Sequence, residues 1–215
     1  MDLMSLLQGQ LTDNTVSDLS KQTGINDPKQ TKKAANQVLS ALIGAMSKNA
    51  SNEQGANALA GALERDHDGS ILDNLSGLFG SNNQPTLPTS PFAVNKNTNN
   101  NLSERSANGM GILKHVLGGN QGGMVQKLSG MLGMNQGSTL SLMASLAPML
   151  MGTLGKAKQQ QNLNPGGLAS LLNNQHQQNA KQNSQLGGLM GLLDSDGDGN
   201  VIDDIGGMLG GLFGK

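Results

Sequence analysis

The chain has 215 residues, 31 of them glycine and 12 methionine, with three phenylalanines and no tryptophan, tyrosine or cysteine. Its formal net charge of −1 provides no long-range field to recruit nucleic acid or an acidic membrane face, and the lack of cysteine excludes a disulfide framework, a zinc–thiolate site and a thiol nucleophile. A core of Leu, Met, Ile, Val and Ala is all that remains, which is thin for either one domain or two units of roughly 80 to 100 residues each.

Elements follow in chain order. The opening MDLMSLLQGQ has Asp2 where a signal peptide requires basic residues, and Gln8 and Gln10 break its apolar run, so it reads as a helix of the mature protein and the chain as cytoplasmic. Leu3, Leu6 and Leu7, then Val16 and Leu19, then Val38, Leu39, Leu42 and Ile43 recur at helical spacing, with no strand-like alternation. Gly24 and Gly80 stand where helices should stop, and Asp27-Pro28 supplies an N-cap with proline at the first helical position. Lys29, Lys32 and Lys33 follow, so Leu19 to Lys33 has the order of a helix-turn-helix: helix, glycine turn, basic second helix. A helical hairpin with a solvated lysine face is the preferred reading, because the matching segment of the second half, GMNQGSTLSLMAS, has no basic residue.

Residues 81–109 are Asn, Ser, Thr and Pro without periodicity, the composition of a flexible, disordered linker. Beyond it, Gly137 to Gly155 is uncharged and about long enough to span a bilayer. Ser, Thr, Gly and Pro148 dilute it, and its counterpart Val38 to Met46 is too short to span, so it is expected to be a central core helix without stable membrane insertion. Residues 173–185 form a Gln/Asn-rich insertion, readable as a helix extension or as a loop.

Internal repetition organises these elements. Val38 to Met46 aligns with Leu146 to Leu154, Gly44 meeting Gly152; Gly55 to Leu63 aligns with Pro165 to Leu172; and both halves close on an aspartate-rich loop running into a short apolar, glycine-containing helix. The expected architecture is therefore all-α: two diverged copies of a small helical bundle, residues 1–80 and 110–215, joined by the linker.

The second junction carries the most specific chemistry. Asp194, Asp196 and Asp198 stand at alternate positions, Gly199 follows, and Asn200 offers a backbone carbonyl: the first half of an EF-hand calcium loop. The closing bidentate acid is replaced by Ile205, leaving Asp203 or Asp204 to complete the shell and an expected affinity of roughly 10⁻⁴ to 10⁻³ M. In the first copy Glu64, Asp66 and Asp68, with Asp73, occupy the corresponding places, but Arg65 and His67 interleave and weaken the case for Ca²⁺. Helix capping is the competing account: Asn200 with Asp203, and Ser70 with Asp73, have the spacing of a capping box. His67, His115 and His176 are too scattered for a transition-metal site, no phosphate loop or nucleophile elbow is present, and no catalytic residue is identified.

The LLxG opening, the LxALIGAMSKNAS helix, the ALxRDHDGSILDNL junction and the closing LLDSDGDGNVIDDIGGMLGGLFGK together resemble the bacterial family known as domain of unknown function 937, which includes the YidB-like proteins. The resemblance covers most of the chain outside the linker and the Gln/Asn insertion. It implies a small helical fold and a bacterial source, and brings no assigned activity and no catalytic residues. The expectation for function is a non-enzymatic structural or interaction protein, engaging a protein partner or itself through Gly/Leu/Met-rich surfaces such as Val201 to Phe213, with a weak calcium loop. The alternative is a DNA-binding regulator using Lys29 to Lys33.

Overall fold

The computed structural model describes residues 3–74 and 108–182, and every regular element among them is helical. The first copy supplies α1 (Leu3–Gln10), α2 (Asp13–Thr23), α3 (Pro28–Asn49) and α4 (Glu53–Asp66), followed by a 3₁₀ turn (Ser70–Asn74). The second supplies α5 (Gly109–Leu117), α6 (Gln121–Leu132), α7 (Gln136–Gln161) and α8 (Pro165–Gln182). The second aspartate loop, the segment Val201 to Phe213, Gly80 and most of the expected linker lie outside the described residues. Helix α5 begins at the linker's expected last residue, Gly109, with Asn108 capping the Gly111 N–H at 2.9 Å.

Identical punctuation marks the two copies. Gly24 and Gly133 end α2 and α6 in the left-handed region, at φ 71° and 65°, which glycine enters without strain. Asp27 and Asn135 then cap α3 and α7, accepting from Lys29 N at 2.9 Å and Ser138 N at 2.8 Å. Four residues on, buried Thr31 and Thr139 each donate a hydroxyl back to the cap residue's carbonyl at 3.0 Å. From there the register holds: each buried residue of α3 has a buried counterpart at the same distance from the cap in α7, Gly44 matching Gly152. Asn52 and Asn164 cap α4 and α8 through Gly55 N and Gly167 N, both at 2.7 Å.

The copies share one core. Leu7, Leu19, Leu42 and Ile43 lie in the same cluster as Leu113, Leu128, Leu150 and Leu172. Helix α7 is its hub, packing against α1 to α6 and the 3₁₀ turn, while α8 lies on α3 and α4. The core helices thus pack crosswise, each against the other copy's last helix. The reason is physical: a small unit with almost no aromatic area cannot enclose enough apolar surface alone, so two units pool theirs. Polar contacts reinforce the union, with Ser138 Oγ donating to Thr23 O at 2.7 Å, Ser145 Oγ to Gln22 Oε1 at 2.8 Å and Lys158 Nζ to Glu64 Oε1 at 2.6 Å.

The uncharged stretch Gly137 to Gly155 is the middle of α7. This helix is long and apolar enough to cross a membrane, yet 72% of its most apolar window is buried against the protein's own helices, as a central core helix requires. Pro148 sits inside it and has no N–H, so the Ala144 carbonyl one turn earlier cannot receive its usual intrahelical bond. Gly109 lies against that carbonyl so closely that a Cβ there would overlap the oxygen, an approach suited to a Cα–H···O contact. Gly155 meets the His67 carbonyl in the same way, joining the two copies backbone to backbone.

Candidate functional site

Among the described residues, two places gather polar and charged side chains. The first is the junction after α4. Glu64 projects to solvent and is paired across the copies with Lys158; the lysine's hydrogen bond, then its charge, holds the Glu64 carboxyl below its ordinary pKa. Asp68 accepts from Ser70 N at 3.0 Å, and that bond holds its carboxyl low as well. The 3₁₀ turn is thus opened by Asp68 as an Asx-type cap, and Ser70, expected as the cap, is the first residue inside it. Gly69, at φ 98°, makes the bend between them.

His67 is buried at this junction, 5% exposed, and its Nδ1 has no hydrogen-bond partner. Burial lowers its pKa, against the opposing pull of Asp66 and Asp68. Glu64 and Asp68 are each engaged with protein groups, and among the described residues no three His, Asp or Glu side chains converge to hold a cation. The Asp73 side chain and the set Asp194, Asp196, Asp198, Asn200, Asp203 and Asp204 lie outside the described residues.

The second place is a cleft of about 440 Å³ beside the first half of α3, bordered by α1 and α8. Lys29, Lys32, Lys33, Asn36 and Ser40 line it from α3, and Asn179 from α8; Met4 and Gln8 complete the α1 side. A short amide ladder fixes Asn179. The Gln175 Oε1 accepts the Leu3 N–H at 3.0 Å and the Met4 N–H at 3.4 Å, so Gln175 must present its NH₂ to Asn179 Oδ1, at 3.2 Å. That leaves Asn179 Nδ2 buried without a partner, and Asn36 Oδ1 is likewise buried and unpartnered.

A family model described as "Bacterial protein of unknown function (DUF937)" matches residues 5–157 and 165–215, nearly the whole chain. The chain belongs to the DUF937 family. Comparison with curated proteins and with solved structures brings no match. The DUF937 match spans both copies and both aspartate junctions, in keeping with the duplicated architecture, and the family description assigns no activity.

Sequence reasoning reached only part of the cleft of this DUF937 chain. Lys29, Lys32 and Lys33 stand out as a basic cluster, but as the face of a supposed recognition helix. Gln175 and Asn179 fall in the Gln/Asn-rich insertion, which over residues 173–182 is a helical extension of α8 with both amides buried. Their spacing of four along one helix face was the available signal; what marks Gln175 is a partner 172 positions away, Leu3 N, and Asn179 is held through Gln175.

Proposed function

We propose that this protein is a non-catalytic structural or protein-interaction module of the cytoplasm, which associates with itself through its closing segment, Val201 to Phe213. The observation that carries the reading is the use made of polar side chains. Glu64, Lys158, Ser138, Ser145, Gln22 and Gln175 all hold one copy to the other, and none stands with a nucleophile and base in the arrangement that catalysis requires. Apolar side chains of the described residues are satisfied internally, Leu6 being the exposed large one at 36%, so the apolar closing segment is the natural adhesive surface.

Within this reading Asp194, Asp196, Asp198, the Asn200 carbonyl and Asp203 or Asp204 form a weak calcium clip at the root of the closing segment. Three carboxylates at alternate positions repel one another, and a divalent cation relieves that repulsion. The DNA-binding alternative is less well supported: α3 is the core helix of its copy, surrounded from Val38 to Met46, and its lysines face a cleft shared with α8.

Light scattering coupled to size exclusion tests the reading on the full chain and on a chain ending at Gln182, each with and without millimolar calcium. The full chain is expected to run as an oligomer and the shortened chain as a folded monomer. Monomeric behaviour of both overturns self-association. For the clip, calcium is expected to raise the melting temperature of the wild type and not of Asp196→Ala; no shift in either removes the metal role.

A further inference from the structure

We propose that the lysine wall of the cleft between α1, α3 and α8 is the docking surface for the chain's own second aspartate loop, Asp194 to Asp204, held in cis by charge. The inference requires neither self-association through Val201 to Phe213 nor a bound calcium ion.

Charge along the sequence sets the first requirement. From Gly109 to Gln182 the chain has five lysines and no aspartate or glutamate; from Asn183 to Lys215 it has five aspartates and a single base, Lys215. The helices of the second copy are therefore positive and the chain that follows them negative. The first copy mixes its signs instead, as where Lys21 pairs with Asp18 at 3.4 Å within α2. Opposite charges already meet across the copies once, where Lys158 takes Glu64. The five aspartates of the loop lie within eleven residues, and such like charges repel unless cations stand against them.

Position selects the wall. Lys29, Lys32 and Lys33 are exposed on the first turns of α3 and are the densest basic cluster of the chain. Asp27 stands just before them, with its carboxylate engaged in capping the helix through the Lys29 N–H. Solvated lysines are ordinary on a helix face, so the cluster by itself identifies no ligand. What singles it out is where the acidic chain sets off. Asn179 of α8 lines the same cleft as the three lysines, and Gln182, the last residue of that helix, is three residues further on, about 4.5 Å of helical rise. The chain therefore leaves the described helices beside the lysine wall, with exposed Lys181 at the exit.

Reach and tethering complete the argument. Asp194 is twelve residues beyond Gln182, a span of about 18 Å if helical and roughly 40 Å if extended, so the loop can return to a wall that begins next to its point of departure. Surface ion pairs are individually weak. A tethered segment, however, meets its site at an effective concentration in the millimolar range, so several such pairs acting together suffice. The wall belongs to one copy. Counting from the caps, Lys29, Lys32 and Lys33 correspond to Gly137, Leu140 and Ser141 in α7, where no charge remains.

Paramagnetic relaxation in the full chain tests the docking. The protein has no cysteine, so Ser195→Cys carries a nitroxide at one place. With chelator present and at low salt, amide signals of residues 29–36 are expected to lose about half their intensity or more, as a millimolar contact at millimolar effective concentration requires. Signals around Lys127 on α6, which packs on α5 and α7, should keep theirs. About 1 M salt, which screens charges beyond about 3 Å, should restore the lost signals. Lys29→Glu, Lys32→Glu and Lys33→Glu together should abolish the loss, and adding Asp194→Lys, Asp196→Lys and Asp198→Lys should bring it back, with circular dichroism verifying that both variants fold. No loss at residues 29–36, an equal loss around Lys127, or a loss indifferent to salt and to charge reversal would each overturn the proposal. So would a loss of the same size when isotope-labelled chain lacking the nitroxide is mixed with unlabelled chain carrying it, since the loop would then dock on a second copy. Self-association without that loss leaves docking in cis standing, so the two readings fail separately.

Discussion

The last helices of the two copies begin alike and end differently. Helices α4 and α8 share an asparagine cap, and Ala56 and Ala60 correspond to Leu168 and Leu172 on the buried face. At the next two positions of that face α4 has Leu63 and His67, whereas α8 has Gln175 and Asn179, all four buried. In the first copy the helix then stops and the chain turns through Asp68 and Gly69; in the second it continues to Gln182. Duplicated sequence has kept the cap and core and changed the helix's final face, using it in one copy as a backbone junction onto α7 and in the other as an amide ladder that secures α1 and lines a cleft.

The strongest way to break this comparison is at the junction's closest contact. Gly155→Val places a side chain where the His67 carbonyl sits, and since a backbone atom cannot swing aside, a loss of about 3 kcal/mol is expected, read as a lower melting temperature. Ser47→Val, at the corresponding and only partly buried position of α3, should stay within about 1 kcal/mol. Equal effects of the two would mean that the copies do not differ there.

A middle-sized effect is expected from the ladder. Gln175→Leu gives α8 the residue type that α4 has at Leu63, but strips the Leu3 N–H of the Gln175 acceptor, at a cost of about 1 to 2 kcal/mol. Hydrogen exchange should show α1 opening before the rest. Protection of α1 unchanged from wild type would show that the ladder does not secure it.

Asp68→Ala removes the cap of the 3₁₀ turn and should cost about 1 kcal/mol at neutral pH. Its carboxyl is held low in the folded state, so that contribution is present above the ordinary carboxylate range and disappears as pH falls through the folded pKa. Wild type and variant melting curves should therefore converge in acid; a constant gap would exclude the cap.

The smallest effect expected is a change of slope. Burial holds the His67 pKa below its ordinary value, so below about pH 6.5 the unfolded chain binds the proton more readily and stability declines as pH falls toward the folded pKa. His67→Asn, copying the residue at the matching place in α8, should flatten that decline between about pH 7 and pH 5. The part due to half-buried His176, also lowered by burial, should persist. An unchanged profile would remove His67 from the linkage.

Much of this fold is legible in the sequence because its signals are local. The spacing of Val38, Leu39, Leu42 and Ile43 gives α3 its buried face, Asp27-Pro28 starts it, and Gly24 ends α2. Alignment of Gly44 with Gly152 gives the correct register of α3 against α7. Polar residues such as Gln37 and Ser47 are carried through α3 on its partly buried face without interrupting the backbone. The shared core was not legible, nor was the amide ladder. A buried Gln looks like any other Gln in an Asn/Gln-rich run until its partner is known, and Leu3 lies at the far end of the chain. His67 is similar: surrounded by acids in sequence, it is buried because Gly155 of the other copy admits its backbone.

Pro148 and Gly109 carry a different kind of consequence, one for how the sequence can change. Proline frees the Ala144 carbonyl, and glycine at 109 is the residue that can come close enough to use it. Each makes sense of the other, so the two positions constrain one another across nearly forty residues of chain. Replacing Pro148 with alanine restores a donor for that carbonyl inside α7, after which the close approach of Gly109 has less to recommend it. A larger residue at 109 that is intolerable beside Pro148 then meets a carbonyl already bonded within its helix, so its cost should depend on which residue stands at 148. Variation at the start of α5 is in this sense conditional on the middle of α7, and mutations sampled one at a time will misjudge the freedom of both.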